Sequence, residues 1–581
     1  MYLGSLKISR FRSCDNVTVS LRPDLTVLVG ENNGGKSNIV DAIRLLTLPL
    51  SGRRERYPEE DDVRRNASIP NFQIEGIFKE LSDTLKGLLI SAVPNPSENE
   101  AIFGYRYESP SELSPRGKST VWAGRFDTNQ PETGSSDVIR HVYLPPLRDA
   151  HRELGSGSSA RVMALLRNFL SKDQEQDFIA DVRRADDRPD ILATMNTEIS
   201  ATLGLLTNGV RPQIAALDFS AENLLDIARD LRFRMADSGL VPEDIRASGL
   251  GYSNLLYMAT VVVELAKAKE TDLTIFLVEE PEAHLHPQLQ VLVLEFLLEQ
   301  ARQSSNREVE AGKPEGRIQI VVTTHSPNLT AWVSPAHLVV MRSRRHDQDG
   351  VSESVSVPIA EIGLKPKTLD KISRYLDVTR SALLFGNRAI LVEGIAEALL
   401  LPVMAQKIVL AGYTDEWLRF KGAVIVPIEG VDFRPYVEVL LRPHRNARIA
   451  DRLIVITDAD PAVLGNRKVD LENLAERHDG QNALTVLTNQ HTLEHEIFSA
   501  GNEAFLKATF LRLHRNSRAD WEAQIEGTAE QDRPDAFLRL IAAKRTRKGD
   551  LAQAIASRIE AGEDFIVPPY LVEAIRGASQ A

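Results

Sequence analysis

Val17, Val19 and Leu21 alternate with polar neighbours, and Leu25-Thr26-Val27-Leu28-Val29 follows as a short, nearly continuous apolar run. Alternation predicts a half-buried strand, and a continuous run predicts a strand covered on both faces. After a glycine-rich loop, Ile39, Ile43 and Leu46 recur at helical spacing. The chain therefore opens as strand, strand, loop, helix. Residues 94–137 are rich in Pro, Ser, Gly and charge, which predicts loops and short edge strands. Val142-Tyr143-Leu144 is stopped by Pro145-Pro146, and Gly155-Ser156-Gly157-Ser158-Ser159 reads as a flexible joint. Val162, Leu165, Leu166 and Phe169 mark one amphipathic helix; Ile191, Met195, Ile199 and Leu203 mark another. A helical insertion over 151–235 is the expectation. Apolar runs of strand length return at 273–278 and 318–322, and 343–356 is polar with its turn at 347–350. A third region of strand–helix type runs from Arg388 towards the C-terminus, and no fixed-period repeat is present.

Composition narrows the class. At about 150 residues per domain, 581 residues imply three or four domains. With 43% hydrophobic and 26% charged residues the chain reads as globular rather than disordered. A single cysteine, Cys14, excludes an intramolecular disulfide framework and a thiolate zinc cluster. Met1 to Arg12 lacks an apolar core of signal-peptide length, and no eighteen-residue apolar run occurs. A soluble, cytoplasmic protein without membrane segments is expected. The net charge of -12 neither supports nor excludes nucleic acid, which responds to local basic surface.

Gly30-Glu31-Asn32-Asn33-Gly34-Gly35-Lys36-Ser37 fits G-x-x-x-x-G-K-[ST] between a buried strand and a helix. Glycines there let backbone N–H groups, including those of Asn32 and Gly35, turn around phosphates at the helix N-terminus. Lys36 would reach the β- and γ-phosphates of ATP, and the Ser37 hydroxyl would bind Mg²⁺. Ile275-Phe276-Leu277-Val278-Glu279-Glu280 delivers two carboxylates to a strand end. Glu279 would hold the Mg²⁺ through water, and Glu280 would orient or deprotonate the attacking water. Glu stands at the first position where Asp is usual. Ser248-Gly249-Leu250-Gly251 and Thr323-Thr324-His325-Ser326 follow the loop in an order that resembles the ABC-type ATPase heads of the SMC and RecF-like group. The resemblance implies that Ser248 and Gly249 contact the γ-phosphate bound to a second protomer and that His325 senses it. It thereby implies at least a homodimer, with the helical insertion as a source of extra dimer contacts.

Ala389-Ile390-Leu391-Val392 ends in Glu393-Gly394, with Glu397 four residues on; Leu453-Ile454-Val455-Ile456-Thr457 runs into Asp458-Ala459-Asp460. Four carboxylates at two strand ends suit hard divalent cations, Mg²⁺ or Mn²⁺. Two such ions can activate water and stabilise the leaving oxygen of a phosphodiester. This pattern resembles the Toprim domain. An ABC-type head, a helical insertion and Toprim together resemble the OLD (overcoming lysogenization defect) family, to which the nuclease of the Gabija antiphage system belongs. Tyr143-Leu144-Pro145-Pro146-Leu147-Arg148-Asp149 and Leu384-Phe385 are also like that family.

What the resemblance implies is an α/β protein: an ATPase head in 1–150 and 236–380, an insertion at 151–235, and Toprim in 381–581. It implies DNA cleavage by Glu393, Glu397, Asp458 and Asp460, with Glu494 as another metal carboxylate and Lys548 as a stabiliser of the cleaved phosphate. It also raises a helicase-like (UvrD-like) partner and a role in bacterial antiphage defence. The rivals are an SMC-like ATP-dependent DNA clamp with a non-catalytic Toprim domain, a Toprim topoisomerase, which needs a nucleophilic Tyr, and an ABC transporter subunit. His491-Thr492-Leu493-Glu494-His495 additionally reads H-x-x-E-H, a zinc-peptidase pattern without supporting context. Basic clusters stand at Arg53, Arg54 and Arg56; at Arg342, Arg344 and Arg345; and at Lys544, Arg545, Arg547 and Lys548. The last, beside the proposed metal ligands, is the expected DNA contact.

Overall fold

The computed structural model describes residues 1–50, 52, 54–110, 116–146, 190–207, 211, 213–218, 231–237, 240–245, 249–283, 285–310, 312–345, 352–458 and 466–580, with isolated positions between 154 and 178. The chain divides into two compact units, Met1–Pro358 and Ile359–Ala581. Among the described residues the strands form four sheets.

In the first unit the buried run Leu25–Val29 lies inside a seven-stranded sheet. Its order is Ser352–Pro358, Leu338–Arg345, Leu25–Val29, Arg317–Thr324, Leu273–Glu279, Ile139–Leu144, Leu48–Pro49, parallel except at the first strand. Every residue of Leu25–Val29 and Leu273–Glu279 is buried, which explains their unbroken apolar runs. Register brings Val29 opposite Thr324 and Glu279 opposite Thr323. The loop after Val29, the Glu280 turn and His325 thus leave one sheet edge together, where parallel sheets open onto ligands.

Two expectations are corrected here. Within 94–137 the structure has a nine-residue strand, Glu100–Glu108, lying between Asn71–Lys79 and Lys118–Ala123 in an antiparallel five-stranded sheet. Ala101, Phe103, Tyr105 and Tyr107 alternate inwards, so tertiary pairing overrides the loop-like composition. Within 151–235 the helix Asp190–Thr207 buries Met195, Ile199 and Leu203 as expected, and Val162, Leu165 and Leu166 are helical and buried. The insertion is not helical throughout. Gln213–Asp218 pairs with Arg232–Asp237, aligning Leu217 with Phe233 and Ala215 with Met235 on one buried face. The joint at 155–159 and the turn at 347–350 lie outside the described residues.

The second unit begins at Ile359, earlier than the 380/381 boundary that the sequence leads one to expect. Segment 359–380 packs there because Tyr375 stacks on Tyr436 at 6.0 Å and Lys371 pairs with Asp432 at 2.5 Å. Its four-stranded parallel sheet has the order Val424–Pro427, Arg388–Val392, Arg452–Asp458, Leu484–Asn489. Helices cover it around an aromatic core that includes Phe498, Phe510, Trp521 and Phe537.

Candidate nucleotide and metal sites

Lys36 opens helix Lys36–Leu46, and Gly35 caps it in a left-handed conformation at φ 95°. The lysine is buried; its Nζ donates to the carbonyl oxygens of Gly30 at 2.9 Å and Glu31 at 2.8 Å. Burial pulls its ionisation down to about 8, against the opposing fields of Glu280, Glu282 and Glu31. Its Nζ also lies 3.3 Å from His325 Nδ1, and His325 Nε2 lies 3.2 Å from Glu280 Oε1. The ring therefore accepts from Lys36 and donates to Glu280. Burial, then the lysine charge, push the histidine down towards its neutral form. Glu280 reaches this position from a left-handed backbone, φ 45°, which costs a non-glycine residue about 1 kcal/mol.

Glu279 is buried, and its Oε2 accepts from the Tyr143 hydroxyl at 2.6 Å while Oε1 has no hydrogen-bond partner among the described residues. The Arg44 guanidinium covers the Tyr143 ring at 3.7 Å. Glu282 fixes the neighbouring turn, accepting from the Thr324 hydroxyl and the His325 amide, both at 2.7 Å. Sequence reading gave neither Tyr143 nor Glu282 a role of its own; the signal for each was its place in a run that resembles the family, Tyr143–Asp149 and Glu282–Pro287. Asn32 is exposed on the loop and Ser37 is exposed in the first turn of the helix. Gly249 caps helix Leu250–Glu264, whose Asn254 donates to the Ala283 carbonyl at 3.0 Å. Ser248 lies outside the described residues. Glycine-lined amides, a buried lysine, an exposed serine and an orphaned carboxylate oxygen fit a nucleotide phosphate with its cation.

In the second unit the carboxylates stand at the corresponding sheet edge. Glu393 Oε1 accepts from the Thr457 hydroxyl, from the Asp458 amide at 2.8 Å and from Arg467 Nη1 at 3.0 Å. Asp458 Oδ1 accepts from Asn489 Nδ2 at 2.6 Å, across the pairing of Asp458 with Asn489. Glu397 lies in the first turn of helix Ile395–Met404. Burial, reinforced by Asp458 and Glu494, pushes it up to about 7. Burial likewise raises Asp458, with Asn489 opposing and Glu393 adding to the rise. Glu494 is buried in helix Leu493–Ser499, and among the described residues neither of its oxygens has a hydrogen-bond partner. Lys548, first residue of helix Lys548–Glu560, places its Nζ 3.4 Å from Glu494 Oε2.

The structure thus gathers Glu393, Glu397, Asp458, Glu494 and Lys548, while Asp460 lies outside the described residues. Among the described residues no three His, Cys, Asp or Glu side chains stand so that together they could hold a metal ion. An all-oxygen donor set with raised carboxylates and two orphaned oxygens nevertheless fits a hard divalent cation. Thr457, Arg467 and Asn489 were missed by sequence reading, since cross-strand register brings the first and last here and Arg467 arrives from the start of helix Arg467–Glu476. The H-x-x-E-H run forms no zinc site among the described residues. His491 and His495 stack on each other at 3.9 Å, and Glu494 faces Lys548.

A family model described as an AAA ATPase domain matches residues 1–198 and 241–330. Another, described as the overcoming lysogenization defect protein-like TOPRIM domain, matches residues 384–460. One chain thus joins an AAA ATPase domain to an OLD-like TOPRIM domain. It is 24% identical over 439 residues to the Old nuclease of Escherichia phage P2, covering 70% of each chain. It is 20% identical over 463 residues to Endonuclease GajA of Bacillus cereus (strain VD045), covering 75% of this chain and 72% of that one. The OLD nuclease of Thermus scotoductus is 24% identical over 413 residues, covering 68% and 71%. An ATPase domain and a TOPRIM domain together call for a nucleotide and a divalent metal. Glu494 and Lys548 lie beyond the matched TOPRIM segment and stand on geometry alone. Among the described residues no helix is long and apolar enough to cross a membrane.

Proposed function

We propose that this OLD-like protein is an ATP-regulated, metal-dependent DNA endonuclease acting in the cytoplasm of a bacterium in antiphage defence. Relatives named as nucleases, sharing the ATPase and TOPRIM domains over about 70% of the chain, support the nuclease reading. The observation that carries it is the gathering of four carboxylates and Lys548 at one edge of a parallel sheet. Mg²⁺ or Mn²⁺ bound there, with Asp460 as a further ligand, would set positive charge against the phosphate and favour ionisation of water. Glu393 is held rigid by Thr457, Asp458 and Arg467, and Asp458 is oriented by Asn489. Glu397 prefers to keep its proton and is the group a cation would ionise. Water attacks phosphorus as the ester P–O bond breaks, and Lys548 faces the charge that develops.

In the first unit Asn32, Gly35 and Lys36 would cradle the ATP phosphates, with Ser37 and Glu279 on its Mg²⁺. Glu280 would orient water and His325 would sense the γ-phosphate. Ser248 and Gly249 would complete the site of a second protomer, making the enzyme a homodimer or higher oligomer. A helicase-like partner belongs to the same reading.

The test is plasmid cleavage by purified protein in Mg²⁺ or Mn²⁺, with and without ATP. Wild type should nick or linearise DNA, Asp458→Ala should not, and Lys36→Ala should lose the response to ATP. ATP-dependent DNA binding with no broken phosphodiester under any condition would overturn the nuclease and return the DNA-clamp reading.

A further inference from the structure

Tyr570 is the second residue of helix Pro569–Ser579, and its ring packs against the core of the second unit. Its hydroxyl is buried and has no hydrogen-bond partner among the described residues. Buried tyrosine hydroxyls nearly always find one, because an unpaired polar group in the interior is costly. The surroundings are unlike those of an ordinary core position. Glu397, Asp458, Glu496 and Glu494 all lie close enough to join burial in raising this phenol well above its usual range. Three of the four belong to the candidate metal centre.

Other orphaned atoms stand on the same elements: both oxygens of Glu494, the Asn489 side-chain oxygen and the Thr492 hydroxyl. Every one of these can accept a hydrogen bond, and the carboxylates cannot donate when ionised. A phosphodiester entering among them brings non-bridging oxygens that need donors. Lys548 supplies one set, already drawn towards Glu494 at 3.4 Å. A phenol that keeps its proton supplies another. A tyrosine hydroxyl is neutral in the physiological range and can donate as well as accept.

We infer that Tyr570 is a further substrate-binding residue of this centre, its hydroxyl donating a hydrogen bond to a non-bridging oxygen of the phosphate held between Glu397, Asp458 and Glu494. The inference rests on the nuclease reading for its substrate, and its test separates the two.

Tyr570→Phe in the full-length protein keeps the ring and deletes only the orphaned hydroxyl, so its melting temperature should equal or exceed that of wild type. DNA affinity is measured in Ca²⁺, a hard cation with the same oxygen preference, and in EDTA; plasmid cleavage is measured alongside. The expected result is about tenfold weaker binding in Ca²⁺, unchanged binding in EDTA, and cleavage slowed about tenfold or more. Wild-type affinity in Ca²⁺ would overturn the inference even if the nuclease reading stands. If wild type does not cleave, that reading fails and the Ca²⁺ comparison still decides the role of Tyr570. A detergent-resistant protein–DNA adduct lost in Tyr570→Phe would also overturn it, assigning the residue as a nucleophile.

Discussion

Glu397 shows how far a single side chain can depart from its unfolded behaviour. Burial, with Asp458 and Glu494 adding repulsion, pushes it up to about 7 from a reference of 4.5. The folded protein therefore holds this proton more tightly than the unfolded chain. Stability contributed by the group is complete below about pH 4.5 and is lost as pH rises to about 7. For a half-buried carboxyl that is on the order of 1–3 kcal/mol after allowance for solvent screening. In metal-free protein, Glu397→Gln should melt above wild type at pH 8, with the gap closing towards pH 5. A gap independent of pH would contradict the carboxylate crowding described here. Added Mn²⁺ should reverse the order at pH 8, because the cation neutralises the carboxylate that the amide lacks.

At the scale of elements, the phosphate loop was legible because three signals agree: a buried run, a glycine pattern and a helical period. The structure adds the steric reason for its first glycine. Gly30 takes φ 136°, and a Cβ there would lie 2.0 Å from the Met341 carbonyl oxygen of the neighbouring strand. Gly30→Ala should weaken ATP binding at least tenfold while circular dichroism keeps its helix and strand content, because the clash is confined to the loop. Retained wild-type affinity would place the phosphates elsewhere. The strand Glu100–Glu108 and the antiparallel pair of Gln213–Asp218 with Arg232–Asp237 were not legible, although their inward residues alternate. Each depends on pairing with another strand, and the local composition points to loop or helix. The same limit applies within the sites. Lys36, Glu279, Glu393 and Asp458 follow apolar runs and announce themselves, whereas Tyr143, Asn489 and Tyr570 matter only through what folding brings beside them.

For the whole molecule the question is how an acidic chain, net -12, would hold a polyanion. Attraction must come from local basic surface, and the structure sorts the cluster at 544–548. Lys544 pairs with Asp520 at 2.5 Å, and Lys548 is drawn to Glu494. Arg545 and Arg547 are exposed and make no ion pair among the described residues. They precede Lys548, beside the carboxylate edge of the sheet. Arg419 and Arg576 are exposed too, but they stand with Arg388 and Arg452, which begin the strands whose other ends carry the carboxylates. The two pairs make a matched experiment, since reversing either changes the net charge by the same amount. Each phosphate contact contributes roughly 0.9 to the slope of log affinity against log salt. Arg545→Glu with Arg547→Glu should therefore flatten that slope by about 2, and Arg419→Glu with Arg576→Glu should leave it nearly unchanged. Equal flattening by both pairs would mean that DNA responds to the charge of the whole protein, and the basic surface beside the carboxylates would lose its role as the contact.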